Sequence, residues 1–100
     1  MEQRNACILV GRLGSDPQER ELPSGDRIVA FRVIVPRAGS TRVDTIDCVV
    51  EKSALRKRVL KLASGTAIEV SGALQRRFFR AGPSVASRYE VRVGQLTVCK

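Results

Sequence analysis

Ser53-Ala54-Leu55-Arg56-Lys57-Arg58-Val59-Leu60-Lys61-Leu62-Ala63-Ser64-Gly65 decides the fold, because the apolar period changes here. Leu55, Val59, Leu62 and Ala63 recur at helical spacing, and Ser53 is placed to cap the N-terminus. Ser64-Gly65 supplies the stop, since glycine takes the left-handed conformation past a last turn. On both sides the apolar residues alternate with period two. Upstream, Ala6–Leu13 reads as a first strand, broken by Gly14-Ser15-Asp16-Pro17. Glu19–Leu22 forms a short strand into the Pro23-Ser24-Gly25-Asp26 turn. Arg27–Val35 is the second strand, with Val29, Phe31, Val33 and Val35 on one face, and about Arg42–Glu51 is the third. Downstream, about Thr66–Phe79 is the fourth, Ala81-Gly82-Pro83-Ser84 a hairpin tip, and about Ser87–Val98 the fifth.

Three strands, a short helix and two further strands predict an all-β chain with the element order of the OB-fold, a five-stranded Greek-key barrel. Residues 1–100 are expected to form a single OB-fold domain without a C-terminal tail.

The formal net charge of +8, with fourteen arginines to four lysines, favours a polyanionic partner and bidentate phosphate contacts. Cys7, Cys48 and Cys99 are widely spaced within apolar alternation, and there is no histidine or Cys-x-x-Cys pair. Zinc or another metal is therefore not expected, no cofactor is implied, and buried reduced thiols point to the cytoplasm. No segment resembles a signal peptide or membrane span.

Gly72-Ala73-Leu74-Gln75-Arg76-Arg77-Phe78-Phe79-Arg80 carries the candidate chemistry. On a strand, Ile68, Val70, Gly72, Leu74 and Phe78 face the core while Gln75, Arg77 and Phe79 face outward. Arg76 also falls on the core side and reaches solvent only where the strand outruns the barrel. Arg77, Arg80, Arg88 and Arg92 are expected to track phosphates while Phe79, with Tyr89, stacks bases. Arg32 and Arg12, on non-core faces, would widen the groove. The expected ligand is single-stranded DNA in largely sequence-independent contact, with RNA open because nothing here reads a 2′-hydroxyl. The basic residues Arg56, Lys57, Arg58 and Lys61 are read as the polar face of the helix.

The first strand is apolar on its second face too, at Ala6, Ile8 and Val10, and the third shows Val43 and Val49 opposite Ile46, Cys48 and Val50. Strands apolar on both faces are usually covered on both. A homo-oligomer, dimer or tetramer, with Ala6, Ile8 and Val10 in the interface, is the expected cover. Catalysis is not expected: Asp44 and Asp47 point to opposite faces, Glu19 and Glu21 sit among Arg20 and Arg27 as structural ion pairs, and there is no phosphate-binding glycine loop.

Ile8-Leu9-Val10-Gly11-Arg12-Leu13-Gly14-Ser15-Asp16-Pro17, then Pro23-Ser24-Gly25, Gly72-Ala73-Leu74 and Arg88-Tyr89, resembles the bacterial single-stranded DNA-binding protein (SSB) family over roughly residues 6–98. The resemblance places Phe79 on a base-stacking aromatic, Arg77 on a basic DNA contact, and Gln75 where another basic contact is usual. Ile46, Lys52 and Gly39 stand where the family carries further stacking aromatics. The loop between the second and third strands is shorter than in the family, and the tail that recruits partner proteins is missing. Short relatives similar to primosomal replication protein N share this tail-less layout. The resemblance implies a nucleoid-associated binder acting in replication, repair or recombination. The rival reading is a protein-interaction module that docks on a replication or repair partner with weak or no DNA binding.

Overall fold

The computed structural model describes residues 1–99. Its elements in chain order are β1 (Cys7–Leu13), β2 (Gln18–Glu21), β3 (Arg27–Pro36), β4 (Val43–Val50), α1 (Ser53–Leu60), β5 (Ala67–Ala81) and β6 (Ser84–Val98). Neighbouring strands run β1-β5-β6-β4-β3-β2, and the ring closes because β1 also pairs with β3 through Arg12↔Ile34 and Leu13↔Val33. Five strands thus make the expected OB-fold barrel, and the short β2 flanks β3 outside it. The β4–β6 contact, Cys48↔Val91 and Val49↔Arg92, is parallel; the other pairings are antiparallel.

Alternation sends one side chain in two to the barrel interior. Val29, Phe31 and Val33 of β3, Cys48 and Val50 of β4, Ile68 and Val70 of β5, and Val91, Val93 and Leu96 of β6 fill it. Each such burial contributes about 1.5–3 kcal/mol relative to exposure. The helix closes one end: Val59 is fully buried, Leu55 and Leu62 pack against the core, and Arg58 Nη1 donates to the Leu96 carbonyl at 2.7 Å. Lys52, not Ser53, is the N-cap, and no side chain caps that terminus. Gly65 has φ +90°, as the helix stop requires.

Two glycines let the wall close. A Cβ at Gly11 would strike the Ile34 carbonyl, and one at Gly72 the Arg92 carbonyl. Beside Gly72 the register of β5 and β6 shifts, since Ser71 pairs with Gln95 but Gly72 with Val93. Gly94 is the extra residue of this bulge, which switches the inward-facing set on β6 from Val91 and Val93 to Leu96.

The barrel wall ends at Leu74. β1 last meets β5 at Cys7↔Gly72, and the Asn5 side chain then substitutes for a strand. Its Nδ2 donates to the Leu74 carbonyl at 2.7 Å, and its Oδ1 accepts from the Leu74 N–H at 3.0 Å. β6 leaves β4 at Val91. Residues 75–81 and 84–90 therefore pair only with each other, as a two-stranded ribbon projecting from the barrel. β6 begins three residues earlier than the sequence suggests because the ribbon is paired almost to its Gly82-Pro83 tip.

The structure corrects two expectations. The alternation of Leu74 and Phe78 with Gln75, Arg77 and Phe79 is as read, but Leu74 and Phe78 are exposed rather than in the core. No layer covers the inner face of a ribbon once the barrel has ended, which is also how Arg76 reaches solvent. Val49 likewise needs no second copy to cover it. It lies between Ala30 of β3 and Arg92 of β6 and is buried within the chain. Ile8 and Val10 do remain exposed on β1.

The cysteines are free; Cys48 is buried, and burial pushes its thiol up to about 12, helped by the neighbouring Cys7, Asp47 and Glu90. Among the described residues, no cluster of cysteine and carboxylate side chains is placed to hold a metal ion, and no helix is long and apolar enough to cross a membrane.

Candidate functional site

Because Val29, Phe31 and Val33 point inward, Ala30 and Arg32 of β3 point outward, beside Val49 and Asp47 of β4. These four make the floor of a groove of about 540 Å³. One wall is the turn after β1 together with β2, carrying Asp16, Arg20 and Glu21. The other is one face of the ribbon, where the pairs Gln75↔Glu90, Arg77↔Arg88 and Phe79↔Ala86 set Arg77, Phe79, Arg88 and Glu90 along the opening. The bulge at Gly94 and the twist of an unsupported ribbon aim this face over the floor.

Phe79 is 36% exposed, and the Arg88 guanidinium lies 5.0 Å from its ring centroid. Such a cation–π pair holds both groups at the rim while leaving aromatic surface to solvent. Arg77 is more constrained. Its Nε donates to Glu90 Oε2 at 2.8 Å, and Gln75 Nε2 donates to the same oxygen at 2.7 Å. Glu90 is only 3% exposed, so a buried carboxylate stands directly behind Arg77. On the floor, Arg32 Nε donates to Asp47 Oδ1 at 3.1 Å. Arg20 and Arg88 form no salt bridge among the described residues. Four arginines and four carboxylates thus line the groove, and Arg20 and Arg88 are its unpaired cations.

The structure brings together Gln75, Arg77, Phe79, Arg88 and Arg32 and separates the remaining candidates. Tyr89 and Arg80 alternate onto the opposite face of the ribbon from Phe79, with Arg76↔Tyr89 and Arg80↔Val85 as their cross-strand pairs. Tyr89 therefore cannot extend the stack begun by Phe79; with Phe78 it flanks the Arg76 guanidinium, at 5.6 and 4.8 Å from the two ring centroids. Arg12 shares the outer face of β1 with Ile8 and Val10 and pairs with Ile34 of β3, outside the groove lining. Arg92 pairs with Val49 of the floor and shares the outward face of Arg88 and Glu90, but it is exposed and lies outside the groove lining. Glu90, Asp47, Asp16 and Arg20 were not expected. Strand parity places Glu90 beside Arg88 and Arg92, and that was the available signal. The turn after β1 could be brought to the groove only by barrel closure. Glu19 is ion-paired as expected, with Arg27 at 3.0 Å and Arg56 at 3.6 Å.

Residues 4–98 match the model of the Single-strand binding protein family. The chain is 36% identical over 78 residues to the single-stranded DNA-binding protein of Bacillus cereus, an alignment covering 73% of this chain and 46% of that one. Single-stranded DNA-binding protein 1 of Staphylococcus aureus (strain COL) is also 36% identical over 78 residues, covering 73% and 47%. The chain spans about half the length of these curated relatives. Among solved structures, the Plasmodium falciparum SSB complex with ssDNA superposes with a TM-score of 0.80 over 100% of this chain and 98% of that one, at 21% identity. That last likeness is one of fold.

Proposed function

This chain belongs to the Single-strand binding protein family, and we propose that it binds single-stranded DNA without catalysis and with little sequence preference, in replication, repair or recombination. One observation carries the reading. The projecting ribbon sets an exposed aromatic with a stacked guanidinium, Phe79 and Arg88, along an open groove whose other wall holds the unpaired Arg20. A base has a π-face to stack on, and the chain of phosphates has Arg88, Arg20 and the outer nitrogens of Arg77 to follow. The reading leaves out Arg80 and Tyr89, whose face of the ribbon leads away from the groove, and puts Arg92 and Arg12 at its margin, outside the lining.

The test is fluorescence anisotropy with labelled dT oligonucleotides at low and moderate salt. Binding that weakens with salt, and weakens strongly in the Arg77→Ala, Phe79→Ala double variant, is the expected result. Absence of binding at low salt, or an unchanged affinity in the double variant, rejects the reading. Competition between matched DNA and RNA strands decides which is preferred.

The charge balance of the groove favours the protein-docking reading to the extent that it lowers phosphate attraction. Capture of a stoichiometric partner insensitive to both salt and nuclease would establish it. Separately, the exposed Ile8 and Val10 support copies pairing through the outer face of β1, where the second strand edge has no partner before Arg12 among the described residues. A concentration-independent monomer mass by light scattering would overturn that pairing.

A further inference from the structure

We propose that Glu90 is a built-in counter-anion that holds Arg77 in place and withdraws its charge from the groove, so that Arg88 rather than Arg77 carries the salt-sensitive phosphate contact on the ribbon. The inference rests on single-stranded DNA being the ligand. Arg77 and Arg88 are directly opposed across β5 and β6 on one face, an arrangement in which like charges repel. Glu90, one step along that face, relieves the repulsion by taking Arg77 and not Arg88. Its carboxylate is buried and accepts from two donors at a single oxygen, so the pair is tightly fixed. Arg77 Nε is thereby occupied, and its outer nitrogens are the ones left to meet a phosphate. A cation already neutralised by its own protein displaces no counterion from the nucleic acid, whereas Arg88, with an aromatic ring as its neighbour, does so fully. In a groove meant for a polyanion, a buried carboxylate lowers non-specific grip and keeps the arginine in one orientation.

The experiment compares the salt dependence of dT binding in the wild type, Glu90→Gln, and the Arg77→Gln, Glu90→Gln double variant, with thermal melts confirming folding. Glu90→Gln keeps the side-chain shape while removing the charge, so it releases one cation into the groove. The expected result is binding roughly three- to tenfold tighter at low salt and a log–log salt slope steeper by about 0.7. In the double variant both charges are gone, and the slope is expected to return to the wild-type value. Should Glu90→Gln fail to fold, the double variant alone still decides. A slope shallower than wild type by about 0.7 would mean that Arg77 had been releasing a counterion despite Glu90, and the inference falls. It falls equally if folded Glu90→Gln binds more weakly or with an unaltered slope. Failure of the DNA-binding reading is recognised separately, since the wild type itself would then not bind at any salt.

Discussion

The two faces of the β5–β6 ribbon are made of similar residues and do different things. The groove face presents Gln75, Arg77, Phe79, Arg88 and Glu90; the back presents Leu74, Arg76, Phe78, Val85 and Tyr89. Each has an arginine against an aromatic: Arg88 over Phe79 at 5.0 Å, and Arg76 over Phe78 at 4.8 Å. What differs is what lies opposite. The groove face looks across the barrel floor of Ala30, Arg32, Asp47 and Val49, which leaves Phe79 36% exposed. The back has nothing beneath it, and Phe78 is 62% exposed. A concave surface with two walls encloses a ligand; a bare ribbon face offers contact from one side only.

The largest expected effect removes the ribbon's anchorage and with it the distinction between the faces. Gly72→Ala would drive a methyl into the Arg92 carbonyl, forcing β5 and β6 apart at the ribbon's root. Urea unfolding should register a loss of about 3 kcal/mol or more; a loss under about 1 kcal/mol would show the wall to be pliable there. Next, Phe79→Ala should weaken dT binding by about 1–3 kcal/mol while Phe78→Ala leaves it unchanged. Equal losses in fluorescence titration would erase the comparison between the two faces.

Smaller is a pH effect on the floor side. Burial beneath the groove raises the Cys48 thiol from 9.0 to about 12, so between these values the folded state retains a proton that the unfolded chain has released. Stability should therefore fall as pH climbs from 9, and Cys48→Ala should flatten that fall in chemical denaturation curves. Smallest is the salt test of the tip. Arg88→Ala should reduce the salt slope of binding by about 0.7 and Arg80→Ala, on the back, should not; identical slopes for the two would argue that the phosphate chain wraps both faces.

Much of this was legible in the chain. The period change at Ser53–Gly65 located the helix, and strict alternation of Val29, Phe31 and Val33 against Ala30 and Arg32 assigned inside and outside on β3 correctly. Parity along Leu74–Phe79 was also right. Burial was not, because alternation says which side chains share a face and nothing about where the covering layer stops. The bulge left a trace in the inward set moving from Val91 and Val93 to Leu96 around Gly94. Glu90 could have been found by continuing the Arg88–Arg92 parity, but its pairing with Arg77 depends on cross-strand register, which turn position fixes and local propensity does not. The turn carrying Asp16 meets the ribbon only in the closed barrel, beyond the reach of any local pattern.

Asn5 is a single carboxamide that satisfies both polar groups of the Leu74 peptide just where the barrel stops and the ribbon begins. It works as a selvedge, finishing a raw hem that would otherwise invite a stranger's backbone to stitch on. Chains starting at Ala6 would lose that binding thread while keeping every barrel residue, and their tendency to clump in light scattering would show how much solubility hangs on one amide.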